Sequence, residues 1–481
     1  MRAALALCFV TSVSCGSDPL PEAGPPFDFV RADTGDPISA AELADATDLY
    51  VDLLERTKFL RTASKFAHGY PDRPDRPGFA TWWSGVRVHR EGHKLTFLHS
   101  NDGADNNGLR TAPFLETACY AFKLFHDPQD EAFIRRMVRG FGSWISAMER
   151  TSAPNAPVLM TRAFYPENLT YEDHGLEITI DYSLNRPGLD NGATEYVHIP
   201  DNPSWGDIYV KNKRSKDDIG HMLLALAELE TCKSELSAEA QAEIDEVMSL
   251  YEAWSRQVED DGFKIKTYDK NLDLWIPTES LAIFVQTLDA ECDAMLTLKL
   301  VGRGSSGGKR CGNGITDSDA LFSELNDNNR HIFWSFHQAS ALWSVRRGEL
   351  DQARALVEGM GTRMDDIFSK IENGDLPNFY NAPDFAAFIM RAGFLGVPLT
   401  SREIRFVHEQ VRQADEGYFS ETNLAALAAF DPEAPDGEKS FGLAGPGLDF
   451  RTLGLGLGVC ATREVNPNTR TLFDCSRMAL Q

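Results

Sequence analysis

The sequence lacks the features that mark several large classes of protein. Beyond its N-terminus it has no run of about 20 uninterrupted apolar residues, the length that a membrane-spanning helix requires. It has no Cys-x-x-Cys pair of the kind that binds zinc or haem. It has no basic cluster either, and 47 Lys and Arg residues against 72 Asp and Glu residues give a formal net charge of -25. We therefore expect no nucleic-acid partner and no electrostatic attraction to anionic lipid.

The N-terminus carries the pattern of an export signal. Arg2 precedes an apolar run from Ala3 to Val10, which is long enough for a secretory signal and too short for a membrane span. The small residues that end at Cys15 resemble a bacterial lipobox, and this resemblance implies a lipid-modified Cys15 that holds the protein at a membrane surface. Residues 1–15 are then the signal peptide, and residues 16–38, rich in Pro, Gly and Asp, are a linker. Secretion to the periplasm or the medium without a lipid anchor is the alternative.

Six of the eight cysteines remain after Cys8 and Cys15 are set aside. An even set in an exported protein predicts disulfides. The six form two pairs that are close in the chain and one that is distant: Cys292 with Cys311, Cys460 with Cys475, and Cys119 with Cys232. The distant pair is expected at similar depth in two equivalent helices, where the cysteines are either bonded to each other or buried as thiols.

Helical periodicity dominates the chain after residue 38. Residues 70–100 are predicted to be a loop with a short strand or two. A helix start near Pro277 joins helix starts near 217, 327 and 384, and these are about 50 to 60 residues apart, the length of one helical hairpin per repeat. The predicted helices are 39–68, 112–126, 130–150, 217–232, 238–258, 277–300, 327–347, 349–371, 384–394, 401–412 and 421–430. We therefore predict an all-α fold, with a domain at 39–458, a loop-rich insertion at 151–214 that covers one face, and a C-terminal tail at 459–481.

Acidic residues stand at the starts of the predicted inner helices. Three helices open in this way, and two of them carry a His four residues after an Asp: Asp105; Asp217, Asp218 and His221; Asp327 and His331. An Asp at a helix start caps free backbone N–H groups, so capping is the alternative role of each of these residues. The Asp-x-x-x-His spacing places both side chains on one face of a helix, which capping does not require.

Two of these helix starts resemble a known superfamily. The segment from Asn101-Asp102-Gly103 through Asn107-Gly108-Leu109-Arg110-Thr111, followed by Ala118, Tyr120-Ala121-Phe122 and Asp127-Pro128, resembles the first repeat of six-hairpin glycosidases. Asp217-Asp218 at the entry of an apolar helix resembles the acid-bearing helix start of unsaturated glucuronyl and rhamnogalacturonyl hydrolases. The resemblance covers residues 39–430. It implies an (α/α)6-type toroid of helical hairpins with a loop-rich cap.

The same resemblance implies a carbohydrate substrate. In such toroids the inner-helix starts meet at one end, where one carboxylic acid protonates the glycosidic oxygen and one carboxylate activates water. A glycoside hydrolase or polysaccharide lyase would use Asp218 as the acid and Asp105 or Asp327 as the base. His221 and His331 would orient these carboxylates or contact hydroxyls. The residues expected to bind the carbohydrate are Asp217, Trp82, Trp83, Arg110, Arg330, Trp334 and Tyr380.

Two alternatives to this interpretation stay open. The complete catalytic signature of a single family is not present, so a non-catalytic surface lipoprotein that binds a glycan or a protein through the same groove is the competing hypothesis. We expect no cofactor, but Asp and His four residues apart can chelate one ion, so a bound divalent cation is the alternative to a metal-free site.

Overall fold

The structure is a computed structural model that describes most of the chain. The described residues are 27, 29–33, 35–64, 68–74, 76–81, 86–99, 107–173, 175–182, 196–212, 216–280, 288–307, 330–373, 382–416, 437–441, 454–460 and 472–477. The helices among them are α1 Ala40–Ser64, α2 Asn107–Phe125, α3 Pro128–Ser146, α4 Lys216–Lys233, α5 Ala238–Asp260, α6 Leu288–Val301, α7 Arg330–Arg346, α8 Leu350–Asn373, α9 Ala382–Phe394, α10 Ser401–Glu416 and α11 at 454–460. Within this part of the chain, no helix is both long enough and apolar enough to cross a bilayer.

The described strands form four sheets. They are β1 His68–Tyr70, β2 Phe79–Thr81, β3 Val86–Glu91, β4 Lys94–His99, β5 Ala163–Tyr165, β6 Leu169–Asp173, β7 Leu176–Asp181, β8 Tyr196–Asn202, β9 Gly206–Lys211, β10 Lys264–Asp269, β11 Leu274–Ser280 and β12 Gly437–Phe441. Strands β1 and β2 form an antiparallel pair, and so do β10 and β11. A three-stranded sheet has the order β5-β9-β8, and a five-stranded sheet has the order β12-β3-β4-β7-β6. In the larger sheet β4 and β7 are parallel.

The prediction of an all-α toroid is wrong, because the fold is mixed α/β. Strands β5 to β9 lie within the insertion at 151–214, and β3 and β4 lie in the segment where a short strand or two was predicted. The insertion was predicted to be rich in loops because its runs of alternating apolar and polar residues are short. In β7, buried Leu176, Ile178 and Ile180 alternate with half-buried residues, so only one face of this strand joins the core.

The start predicted near Pro277 for the helix at 277–300 is wrong, because β11 occupies Leu274–Ser280 and pairs with β10, while α6 covers Leu288–Val301. The carboxylate of Asp269 accepts the backbone N–H groups of Asn271 at 2.9 Å and Leu272 at 3.2 Å. This side chain therefore stabilises the turn that reverses the chain into β11. Residues 277–280 of the predicted helix therefore belong to the second strand of a hairpin, and its later part is α6.

The predicted helical hairpins are present, and local capping explains where their helices begin. Ser39 and Glu42 form a reciprocal capping box before α1, with backbone-to-side-chain distances of 2.8 and 3.2 Å. At α3, Asp127 accepts the N–H of Gln129 at 2.9 Å, and Pro128 occupies the first helical position, where its missing N–H costs nothing.

Helices α2, α4, α7 and α9 run in the same direction and pack side by side. Leu109 at the start of α2 contacts Asp218 at the start of α4. Gly220 of α4 approaches α7 so closely that a Cβ there would lie 2.2 Å from the hydroxyl of Ser335. Each of the four helices then passes through a short connection into an antiparallel neighbour, α3, α5, α8 or α10. We call the end where the four helices begin the start end, and the opposite end the turn end.

A buried ionic cluster joins the four parallel helices midway along their length. Arg391 of α9 donates to Glu228 of α4 at 2.6 Å, contacts Glu116 of α2 at 3.5 Å and donates to Gln338 of α7. The hydroxyl of Tyr120 on α2 donates to Glu228 as well. The side chains of Arg391 and Glu116 are 0% exposed. Charges at this depth are tolerated only with their partners in place, so the cluster fixes how the helices are arranged.

Two disulfides join described residues. Cys119 of α2 is bonded to Cys232 of α4, and Cys460 of α11 is bonded to Cys475. The second bond confirms a predicted pair, and the first shows that the distant cysteines are bonded rather than buried thiols. The predicted bond from Cys292 to Cys311 lies outside the described residues, because Cys311 does. Disulfides indicate an oxidising compartment.

Residues 29–33, within the predicted linker, lie along α8 and α10, and we call them the strap. Arg31 donates to the two carboxylate oxygens of Glu403 at 3.0 and 2.7 Å and to Asp365 at 2.7 Å. Asp33 accepts the backbone N–H and the hydroxyl of Ser401 at 2.8 and 2.7 Å, and so caps α10 from outside the helix. The strap is therefore part of the folded domain.

Acid should weaken the contact between α3 and α5 through Glu243. Burial raises the pKa of Glu243, but the guanidinium groups of Arg135 and Arg139 together lower it by more. The pKa of Glu243 therefore lies below its ordinary value of 4.5. A folded pKa below the unfolded one stabilises the fold above pH 4.5, and this contribution is lost as the pH falls through the folded pKa. We expect Glu243→Gln to lose about 1 kcal/mol of unfolding free energy at pH 7 and to lose less than wild type on acidification.

Urea unfolding at pH 7 and near pH 3 measures both quantities. Glu239→Gln is the matched control, because Glu239 is an exposed carboxylate on the same helix. If Glu243→Gln and wild type lose the same stability over this pH range, the two arginines do not hold the Glu243 carboxylate ionised.

Candidate functional site

The candidate residues that the structure describes lie at the starts of three parallel helices. Asp218 and His221 are on α4, Arg110 is on α2, and Trp334 is on α7. Asp217 is the second residue of α4, and Arg330 and His331 are the first two residues of α7. The start end thus brings these residues to one side of the helical layer. The other candidates lie outside the described residues: Asp105, Asp327, Trp82, Trp83, Tyr380 and the lipidation residue Cys15.

Asp218 is buried and holds the start of α4 against the start of α2. Its Oδ1 accepts the backbone N–H of Leu109 at 2.8 Å. Leu109 is the third residue of α2, so its N–H has no acceptor within its own helix. The other oxygen, Oδ2, lies 3.8 Å from Nε of Arg162. Through these contacts the carboxylate of Asp218 joins the start of α4 to the start of α2 and to Arg162.

Arg162 is a site residue that the sequence did not single out. It directly precedes β5, and its backbone N–H donates to the carbonyl of Lys211 on β9 at 2.8 Å. The hydroxyl of Thr161 donates to the same carbonyl at 2.6 Å. The small β5-β9-β8 sheet therefore positions the cation beside Asp218, with 18% of its side chain exposed. Nothing local in the sequence marks this residue, because its partner lies on α4.

Asn107, the first residue of α2, is another buried polar side chain at the start end. The hydroxyl of Thr111 donates to the backbone carbonyl of Asn107 at 2.7 Å and lies 3.1 Å from its side-chain oxygen. Asn107, Asp218 and His221 are all at most 1% exposed. Buried polar groups cost free energy unless they are paired, so three of them at adjoining helix starts mark this end of the core as chemically distinct.

Trp334 lies in the interior of the helical layer. Its ring packs 4.7 Å from Phe388 and 5.7 Å from Phe385, between centroids, and the residue is 2% exposed. In this position Trp334 joins α7 to α9 through apolar contact. A stacking surface for a sugar requires an exposed face, and this ring has none.

A second acid and histidine pair lies in the core between α6 and α7. Asp293 Oδ2 is 3.5 Å from Nδ1 of His337, and Nε2 of His337 donates to the carbonyl of Leu356 at 2.8 Å. Burial lowers the pKa of His337 well below its ordinary value, and the charge of Arg363 lowers it further. His337 and Asp293 are both 0% exposed. A neutral imidazole bound to a backbone carbonyl in this position is a structural contact.

No group of three or more His, Cys, Asp or Glu side chains in the described ranges is arranged to hold a metal ion. The chemistry available at the start end is therefore a fixed carboxylate, a partly exposed guanidinium and a buried imidazole.

Comparisons of the chain with protein-family models, with curated proteins and with solved structures find no match.

Proposed function

We propose that this protein is an exported carbohydrate-active enzyme, a glycoside hydrolase or a polysaccharide lyase, that acts at the start end. The observation that supports it is the Asp218 and Arg162 pair, which is built into the junction of α2 and α4 beside buried Asn107 and His221. Buried charged and polar groups at this end carry a desolvation cost that binding or chemistry can explain. The disulfides between described residues favour an exported location.

Within this proposal, Asp218 is a positioning residue rather than the proton donor. A general acid must reach the substrate, and the side chain of Asp218 is 0% exposed and engaged with Leu109 and Arg162. Proton transfer then falls to Asp105 and Asp327, and Arg162 is the cation that Asp218 holds beside the substrate. His221 is 1% exposed, so its role is to orient the carboxylates from the interior, and His331 orients them or contacts the substrate.

The second candidate function is glycan binding without catalysis. The same engagement of Asp218 favours it, because a carboxylate that holds two helix starts together is not at the same time available for proton transfer. A binding protein would need the groove and its Arg162 cation but no acid and base pair.

We expect a screen of polysaccharides to give turnover that depends on the start end. Reducing ends report hydrolysis, and ultraviolet absorbance of an unsaturated product reports elimination. Asp105→Asn and Asp327→Asn should lower turnover by ~10² to 10⁴-fold without changing stability. Asp218→Asn should lower turnover and also cost about 1 to 3 kcal/mol of unfolding free energy, because it removes the charged acceptor of the Leu109 N–H.

Asp207→Asn is the matched control, since Asp207 is 59% exposed and pairs only with the exposed His198 among the described residues. If Asp218→Asn abolishes turnover without changing the free energy of unfolding, Asp218 is the general acid. Binding of a glycan without turnover would select the second candidate. A protein that neither binds nor cleaves a carbohydrate would rule out both.

A further inference from the structure

The β10–β11 hairpin carries a group of aromatic and cationic side chains that the chemistry proposed around Asp218 does not use. Tyr268 of β10 and Trp275 of β11 lie opposite each other, and their ring centroids are 4.5 Å apart. The Cζ atom of Arg150 is 4.1 Å from the ring centroid of Tyr268 and 5.5 Å from that of Trp275. We call Arg150, Tyr268 and Trp275 the hairpin platform.

The hairpin platform is fixed in place by hydrogen bonds. The hydroxyl of Tyr268 donates to the carboxylate of Asp273 at 2.6 Å. The side chain of Asn212 donates to the backbone carbonyl of Tyr268 at 2.7 Å and accepts its backbone N–H at 3.3 Å. Side chains that are already ordered lose little conformational freedom when a ligand binds, which favours binding.

The platform is attached to the strand end that also positions Arg162. Lys211, the last residue of β9, accepts the backbone N–H of Arg162, and the next residue, Asn212, holds Tyr268. Helix α4 begins at Lys216, four residues after Asn212. The platform and the Arg162 cation are therefore both placed at the start end by two consecutive residues, so one extended ligand can contact both.

The platform offers the two kinds of contact that a sugar ring makes. Trp275 and Arg150 are half-buried, and the Nε of Arg150 has no hydrogen-bond partner among the described residues. A sugar presents C–H groups of partial positive charge to the negative face of an aromatic ring, and its hydroxyls accept from N–H donors. An indole beside a guanidinium whose donors are not all used by the fold suits both groups.

Another tryptophan with an arginine over its ring shows the structural version of this arrangement. Arg76 lies 4.7 Å from the ring centroid of Trp205, but that ring also packs on Phe79 at 5.0 Å and on Phe164 at 5.2 Å, between centroids. Phe79 and Phe164 belong to the apolar core, so Trp205 does too. The printed aromatic neighbour of Trp275 is Tyr268 of the same hairpin.

The charge of the protein distinguishes a sugar from the other ligands that stack on aromatic rings. Nucleic-acid bases also stack on tryptophan and arginine, but such sites lie in positively charged grooves that track the phosphates. A protein with a formal net charge of -25 repels a polyanion of that kind. The carbohydrate proposed for the start end needs no such groove.

We propose that the hairpin platform is a second carbohydrate-binding site for the ligand of the start end, and that this ligand is therefore a chain of linked sugars rather than a single sugar. The inference rests on the proposed carbohydrate function and extends it by naming a polymeric ligand. Sugar units near Asp218 and Arg162 occupy the site itself, while units farther along the chain stack on Trp275 and accept hydrogen bonds from Arg150.

Binding of oligosaccharides of graded length tests the platform. Fluorescently labelled fragments of xylan, β-glucan, carboxymethyl cellulose and polygalacturonate, from the disaccharide to the hexasaccharide, are titrated with the full-length protein and followed by fluorescence anisotropy. Trp275→Ala removes the stacking ring, and Arg150→Met removes the donors but keeps an apolar stem. Leu274→Ala is the matched control, because Leu274 is 55% exposed and precedes Trp275 on the same strand, where successive side chains point to opposite faces.

We expect Trp275→Ala and Arg150→Met each to weaken binding of the longest fragments by about tenfold and to leave the shortest fragments that bind within about twofold of wild type. Leu274→Ala should bind every fragment as wild type does. Circular dichroism and urea unfolding establish that each variant is folded, and Arg150→Met decides the question if Trp275→Ala is not.

Two results would contradict the platform and leave the proposed function intact. In the first, the folded variants bind the longest fragments with wild-type affinity. In the second, they weaken binding equally at every length, so that the effect is not that of a separate contact. A wild-type protein that neither binds nor cleaves any of these glycans would instead contradict the proposed function, and the platform with it.

Discussion

Arg391→Met is expected to lower the free energy of unfolding by about 3 to 5 kcal/mol, because it leaves two carboxylates in the core without their cation. Burial alone lowers the pKa of Arg391, but Glu228 and Glu116 raise it above the ordinary value, so the charged pair is mutually stabilised. Burial and then Glu228 also raise the pKa of Tyr120, which keeps its hydroxyl protonated as a donor. Urea unfolding monitored by circular dichroism and tryptophan fluorescence measures the loss.

Arg477→Met is the matched control, because Arg477 forms an ion pair with Asp48 whose two side chains are 42% and 58% exposed. An exposed pair of this kind contributes about 0 to 1 kcal/mol. The double variant Arg391→Met with Glu228→Gln should be less destabilised than the sum of the single variants, since each removes the partner of the other. Equal stability of Arg391→Met and Arg477→Met would mean that the buried cluster does not hold the helices together.

Removal of the bond between Cys119 and Cys232 is the second change with a large expected effect. This bond joins residues 113 apart in the chain, and in the chain-entropy account a closed loop near 100 residues is stabilised by about 4.7 kcal/mol. The bond between Cys460 and Cys475 spans 15 residues, for which the same account gives about 3 kcal/mol. We expect Cys119→Ala with Cys232→Ala to be the less stable of the two paired variants.

Guanidinium unfolding of the two paired variants and wild type measures the difference. The alanine pair at 460 and 475 is the control for loss of a disulfide as such, because it removes one bond of the same kind. If the loss is equal for both pairs, or larger for the short loop, loop closure in the unfolded chain does not govern the stabilisation.

Much of the helical framework could be predicted because its signals are local. The capping residues Ser39 and Asp127 stand next to the helices that they begin, and periodic apolar residues fix the faces that pack. The pairing of the strands could not be predicted in the same way. Strand β12 at Gly437–Phe441 pairs with β3 at Val86–Glu91. The residue pattern within either segment does not identify a pairing partner so distant in the chain.

The position of Asp218 at a helix start could be predicted from the sequence, but the contacts of its carboxylate could not. Asp218 is at a helix start, as its pattern indicated, but its contacts come from Leu109, 109 residues earlier, and from Arg162 before β5. A carboxylate that caps a neighbouring helix looks identical in sequence to one that caps its own helix or donates a proton. Only the three-dimensional partners distinguish these roles.

The last described segments of the chain pack against α1 and β3, and this position affects the order in which the protein folds. Strand β12 completes the sheet of β3, Asp474 donates its backbone N–H to the hydroxyl of Thr47 at 2.9 Å, and Phe473 stacks on Tyr50. Helix α1 and the sheet of β3 are thus completed by segments that lie far away in the chain, 427 residues apart for Thr47 and Asp474. Contacts between such distant segments form late, because a large part of the chain must first be brought together, so we expect the packing of α1 and β3 to be completed after the local helical hairpins.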